Sequence, residues 1–175
     1  MTRYFRTAEG MAGAIILAVL VLAALFAPLL FPGDPLRIVA APLLGPLENM
    51  DFPLGTDRLG RDVLAGIVHG SRTSLIVGLA AAAAAIVAGS IVGTLAGFAG
   101  GIVDEVLMRI TEAFQTVPGF LLALALTSIV GPSLPVLVAA IALSSWTQAA
   151  RLTRGQVLSI RERDYVASAR VIGMH

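Results

Sequence analysis

Three long stretches of this chain carry no charged residue: residues 10–33 between Glu9 and Asp34, 73–103 between Arg72 and Asp104, and 113–150 between Glu112 and Arg151. About 20 apolar residues at ~1.5 Å rise cross the hydrocarbon core of a bilayer, so the first two each predict one spanning helix. The third is too long for one helix, and Gly131-Pro132-Ser133-Leu134-Pro135 interrupts it with turn chemistry, predicting a hairpin of two spans. Lipid offers backbone groups no partners, which leaves helices as the way across. The expected fold is an all-α, polytopic membrane helix bundle with four spans.

Composition agrees. Charged residues make up 13% of the chain, against about 25% in a soluble domain. A net charge of +1 carries no electrostatic footprint for nucleic acid. With no cysteine, there is neither a disulfide, a thiolate metal site nor a cysteine nucleophile. Arg3 and Arg6 precede the first span as they would a signal peptide. Its apolar core, residues 11–31, exceeds the roughly 7–15 residues of a signal core, and residues 27–32 offer no small-residue cleavage site. The stretch therefore reads as an anchor.

All basic residues are arginines, and they set the orientation. With the N-terminus inside, Arg3, Arg6, Arg109, Arg151, Arg154, Arg161, Arg163 and Arg170 are cytoplasmic, whereas Arg37, Arg58, Arg61 and Arg72 are outside. This asymmetry favours both termini in the cytoplasm. Trp146 lies near the inner end of the fourth span, as an interfacial anchor or a packed core residue.

Between the first two spans, Pro32, Pro35, Pro42, Pro46 and Pro53 keep an outside loop irregular, and from about Asp62 a helix leads into the second span. The loop is too short to bury an independent core. Gly89, Gly93, Gly97 and Gly101 recur every fourth residue in the second span, forming a ridge for close approach of another helix.

Three ordered motifs carry a resemblance. The loop reads Phe52-Pro53-Leu54-Gly55-Thr56-Asp57-Arg58-Leu59-Gly60-Arg61-Asp62, then Gly70-Ser71-Arg72-Thr73-Ser74-Leu75. Gly100-Gly101-Ile102-Val103-Asp104 follows, with Met108-Arg109 and residues 118–122. The tail holds Arg151-Leu152-Thr153-Arg154-Gly155-Gln156 and Asp164-Tyr165-Val166-Ala167-Ser168-Ala169-Arg170-Val171-Ile172-Gly173. Together they resemble a permease subunit of the dipeptide, oligopeptide and nickel ABC importer family. Phe52 replaces a common His, Glu112 a common Asp, and Val117-Pro118 stands for Phe-Pro; the tail is similar to the family's EAA loop with Ala167 in place of Glu.

The resemblance implies six spans, so that two would follow His175 and the chain would be C-terminally truncated inside the EAA loop. It divides the chain at residues 1–72, the first span with its outside loop, and 73–175, a partial transmembrane domain. It implies an inner-membrane permease for peptides, nickel or related solutes that works with a second permease, two ATPase subunits and an extracytoplasmic binding protein. ATP would belong to the ATPase subunits, since this chain has no G-x-x-x-x-G-K-[ST] loop and is not read as an enzyme. The alternative is a non-transporting fragment that only packs with partner helices.

For the tail, the residues alone leave two readings open: a helix docking in a partner's groove, and a basic segment held by anionic lipid. The resemblance favours the first and implies ATPase coupling through Tyr165, Ala167, Ser168, Ala169, Arg170 and Gly173. Arg161, Arg163 and Arg170 supply rim contacts in that reading, and Gly173 ends the helix with φ > 0. In the outside motif, Gly55 and Gly60 read as turn residues, and Thr56 or Asp57 as acceptors for backbone amides. Arg58 or Arg61 pairs with Asp57 or Asp62. Glu105–Arg109 and Arg109–Glu112 are helical ion-pair spacings, and His69 reads as a lone loop histidine without a role. No cofactor or metal site is expected on this chain.

The orientation is testable because cysteines can be placed freely. A membrane-impermeant thiol reagent applied from outside is expected to label a cysteine at position 45 or 57. Labelling from the cytoplasmic side alone would overturn this topology.

Overall fold

A computed structural model describes residues 7–173, without the side chains of Ala167, Ala169 and Arg170. Among the described residues the chain is helical, with no strand beyond two isolated bridges. It divides into two compact units, Met1–Ile76 and Val77–His175.

In the first unit, α1 (Ala8–Leu25) starts where Thr7 Oγ1 accepts the Gly10 N–H, an N-cap hydrogen bond. Its Ile15, Ile16, Leu17, Val19, Leu20 and Leu22 are exposed, as on a helix facing lipid. The helix breaks at Phe26, and Pro28 falls within the first turn of the short α2 (Ala27–Leu30), where its missing N–H costs least. A loop then leads to Asp62, whose carboxylate accepts the Leu64 N–H and caps the start of α3 (Val63–Ala99). His69 lies in α3 rather than in a loop, and its Nε2 is 3.0 Å from the Phe31 carbonyl oxygen that ends α2.

The 37 residues of α3 extend about 55 Å, well beyond a ~30 Å hydrocarbon core. In its second-unit portion, size and burial are inverted relative to a soluble helix. Val77, Ala81, Ala85, Gly89, Gly93, Ala96 and Gly97 are buried, whereas Leu79, Ile86, Val87, Ile91, Leu95 and Phe98 are exposed. The buried stripe packs on α6 (Leu134–Arg161). A Cβ added at Gly89 would lie 2.5 Å from the Trp146 carbonyl oxygen and the Ala149 Cβ. At Gly93 it would lie 2.3 Å from the Ala150 carbonyl oxygen, and at Gly97 2.9 Å from the Val157 Cβ. Each glycine costs about 1 kcal/mol of helix propensity, offset here by backbone approach that no other residue permits.

The ridge has three members, not four. α3 ends at Ala99, and Gly100 (φ +65°) and Gly101 (φ +54°) turn the chain into α4 (Gly101–Thr116), with nothing near the position of a Cβ on Gly101. Two consecutive left-handed residues end the register that the four-residue repeat had extended through Gly101.

Residues 113–131 are not one straight span. Val117 adopts the extended conformation favoured before proline, so α4 stops and α5 (Gly119–Val130) departs at 82°. The expected hairpin turn is present, with α5 ending at Gly131 (φ +97°) and α6 beginning after Ser133. By length and composition two described helices, α1 and α3, are able to cross a membrane, and three if α4 with α5 counts as one broken span. The fourth expected span falls on α6, which begins without charge but continues through Arg151, Arg154 and Arg161.

α6 packs against both α5 and α4. Thr147 and Ala150 of α6 and Thr111 of α4 are fully buried, and Thr111 turns its hydroxyl back to the Leu107 carbonyl. Trp146 meets Phe114 edge to face at 5.5 Å, a packed rather than freely interfacial tryptophan. Gly93→Leu, against the Ala150 carbonyl, and Gly97→Leu, against the Val157 side chain, are expected to disrupt the fold, because overpacking costs ~1–3 kcal/mol even where neighbours can shift. Gly101→Ala has room and is expected to be the milder change, limited to backbone strain. Thermal unfolding in detergent checks the order; equal behaviour of the three variants would remove the packing role.

Candidate functional site

The helices place one concentrated polar junction at the end of α6, where α3, α4 and α6 meet. α6 closes at Glu162, and after a hydrogen-bonded corner (Arg163 N–H to Ile160 O, 3.2 Å; Val166 N–H to Arg163 O, 2.9 Å) the chain forms α7 (Asp164–Val171). Tyr165 and Val171 of α7 and Ile172 just after it are 60%, 86% and 76% exposed, apolar surface that the described residues do not cover. Ser168 donates its hydroxyl to the Asp164 carbonyl, and Gly173 follows at φ +82°, as a helix-ending glycine. Of the residues assigned to coupling, Tyr165, Ser168 and Gly173 are thus placed on or just after one short exposed helix. The side chains of Ala167, Ala169 and Arg170 lie outside the described residues.

Arg161 does not join that exposed surface. Its Nη1 donates to the carbonyls of Gly97 (2.8 Å) and Phe98 (3.2 Å), two of the orphan acceptors at the C-terminus of α3. A cation there also opposes the negative end of the helix dipole. Across the break, Arg154 grips Asp104 through two parallel bonds: Nε to Oδ1, and Nη2 to Oδ2 at 2.6 Å. The side chains are 33% and 16% exposed, which makes this a partly buried, bidentate pair. Asp104 sits in the first turn of α4, where a carboxylate is favoured by the dipole. One turn before Arg154, Arg151 Nη1 donates to Gln115 Oε1 at 3.0 Å, a further tie from α6 to α4. Arg109–Glu112 forms at 3.3 Å but is exposed on both sides and contributes little.

Sequence spacing pairs Arg109 with Glu105 and Glu112 and gives Asp104 no partner. The partner of Asp104 is 50 residues away, beyond the reach of i,i+3 and i,i+4 spacing. The one available hint was arginines at 154 and 161, seven apart and therefore on one helix face.

The Gly55–Asp62 motif in the first unit is occupied by its own backbone. A Cβ on Gly55 (φ +74°) would lie 2.1 Å from the Leu44 carbonyl oxygen, and one on Gly60 (φ +75°) 2.2 Å from that of Ala40. Buried Thr56 accepts the Leu44 N–H at 3.0 Å and donates to the Ala41 carbonyl at 2.6 Å, clasping the proline-rich segment of the loop. Asp57 Oδ1 accepts the N–H groups of Leu59 (2.7 Å) and Arg61 (2.9 Å), while Asp62 caps α3. Neither Arg58 nor Arg61 forms a described ion pair with these carboxylates; Arg61 instead sits opposite Ile38 in a bridge. Among the described residues no cluster of His, Asp and Glu is arranged to hold a metal ion.

The Arg61 N–H holds the Asp57 carboxyl below its ordinary value of 3.8 against the opposing effect of burial, with the Leu59 N–H and the Arg61 charge assisting. A depressed pKa stabilises the loop above the ordinary carboxylate value, and the contribution is lost as pH falls through the lower folded value. Hydrogen exchange at Leu59 and Arg61 is expected to quicken over that acid range in the native loop. Asp57→Ala should quicken it at neutral pH, and unchanged exchange in the variant would remove Asp57 as the organiser.

Comparison with known proteins meets this geometry. Residues 85–175 match the family described as binding-protein-dependent transport system inner membrane component, and residues 2–49 match the N-terminal TM domain of oligopeptide transport permease C. The di/tripeptide transport system permease protein DppC of Pseudomonas aeruginosa is 38% identical over 92% of this chain and 55% of its own length. The dipeptide permease DppC of Bacillus subtilis is 37% identical over 93% of this chain and 51% of its own. The oligopeptide permease OppC of Bacillus subtilis is 33% identical over 99% and 56%. The chain spans about half the length of the curated relatives it matches. An all-helical membrane fold with broken spans, and matches that run from the first helix through α7, lead to one assignment: the chain belongs to the family of inner membrane components of binding-protein-dependent transport systems.

Proposed function

We propose that this chain is part of the permease of an ATP-driven peptide importer. The observation that carries the reading is its 33–38% identity, across more than nine-tenths of its length, to three relatives named as di/tripeptide, dipeptide and oligopeptide permeases. A peptide brings charged termini, each costing several kcal/mol to place in lipid, and so needs a closed protein path. This chain would form part of that path beside a second permease, with substrate handed over by an extracytoplasmic binding protein. Both described ends of the chain would face the cytoplasm, where two ATPase subunits bind. Exposed α7, with Tyr165 and Ser168 on it and Gly173 after it, supports docking of that helix in an ATPase groove.

The test uses the full-length protein with its partner permease, ATPase subunits and binding protein in proteoliposomes. ATP-dependent uptake of a labelled dipeptide is expected, with nickel ions failing to compete; absence of dipeptide uptake would sink the peptide reading. Ser168→Trp is expected to weaken ATPase association roughly 5- to 150-fold, the equivalent of ~1–3 kcal/mol of overpacking, with membrane insertion unchanged. Association at the native level would remove α7 as the docking element.

A further inference from the structure

Arg154 and Arg161 of α6 are both engaged within this chain, and what they hold is the two sides of a single hinge. Arg154 and Arg161 are seven residues apart, two helical turns, and therefore lie on one face of α6. Arg161 holds the last carbonyls of α3, and Arg154 holds the first turn of α4 through Asp104. Between these grips stand Gly100 and Gly101, both at positive φ. Thr153 and Val157, which lie against Gly93 and Gly97, fill the same face of α6 and keep the arginines in register with the hinge.

The other end of this assembly is α7. Arg161 is the last residue of α6, and α7 begins three residues later through a hydrogen-bonded corner. On the far side, α4 continues through the 82° bend at Val117-Pro118 into α5. Displacement of α7 therefore bears first on Arg161 and Arg154, and through them on the angle between α3 and α4.

We propose that Asp104, Arg154 and Arg161 are positioning residues that fasten α7 to the Gly100-Gly101 hinge, so that movement of α7 is delivered to α4 and α5. This rests on the reading of α7 as the ATPase-docking helix. A purely structural ion pair accounts for stability but not for the placement of both grips across a two-glycine break on the one helix that leads into α7. Arginine suits the role, because a planar bidentate fork fixes direction as well as distance.

The experiment measures ATP hydrolysed per peptide imported, in vesicles holding the full-length protein with all its partners. Arg154→Gln, Asp104→Asn and Arg161→Gln are expected to raise that ratio about 5- to 30-fold, with ATPase association unchanged. The exchange of Asp104→Arg with Arg154→Asp is expected to recover much of the loss, and Arg161→Lys to recover more than Arg161→Gln. A native ratio in the single variants overturns the proposal, as does a loss confined to thermal stability or an exchange that recovers nothing. If the unmutated protein neither binds ATPase subunits nor imports peptide, the functional reading falls and this inference with it. If it does both while the variants couple normally, the inference alone falls.

Discussion

The approach of two backbones at Gly89, Gly93 and Gly97 is the constraint on which the second unit depends. Lipid tails are as apolar as leucine, so no hydrophobic drive holds α3 to α6; dispersion at close range and interhelical polar bonds must do so. Removing side chains from one helix face draws the other helix in. At that separation a single arginine at the end of α6 reaches two carbonyls of α3 at 2.8 and 3.2 Å. With the helices a side chain further apart, Arg161 would leave those carbonyls to water, and Arg154 would not meet Asp104 in a two-point grip. Packing by the smallest residues thus determines where the largest polar ones end.

The parts of this fold visible in sequence are those governed by local chemistry. Charge-free stretches locate α1, α3, α5 and α6, and Gly131-Pro132 marks the turn between the last two because both residues disfavour helix. Asp62 is legible as the start of α3 because the apolar pattern begins immediately after it. The bend at Val117-Pro118 escaped a reading based on charge, although proline excludes helical backbone in its predecessor whatever the hydropathy. Gly101 was misplaced because two signals competed: a four-residue repeat and a Gly-Gly pair. The pair prevails, since φ above zero at consecutive residues cannot be accommodated within a right-handed helix. The Asp104–Arg154 grip was not legible at all, being fixed by how α4 turns back on α6 rather than by any spacing along the chain.

The Gly55–Asp62 loop shows how a motif can look chemical and be conformational. Its two carboxylates accept backbone N–H groups within four residues, its threonine accepts the Leu44 N–H and donates to the Ala41 carbonyl, and its glycines stand where a methyl group would strike a carbonyl oxygen. Every polar atom so placed substitutes for a strand or helix partner that the proline-rich segment cannot provide. Residue types associated with acid–base work are here a means of folding a short loop without a hydrophobic core.

The inversion of size along α3 has a consequence for how such a chain changes over generations. In a water-soluble protein, bulky interior residues are the most constrained and small exterior ones drift. Here Ile86, Ile91, Leu95 and Phe98 are exposed, and an apolar side chain exposed to lipid is solvated much like any other, while the buried glycines leave little room for a replacement. In this helix the smallest residues are therefore expected to tolerate the least change, and the residues that look most like a core the most.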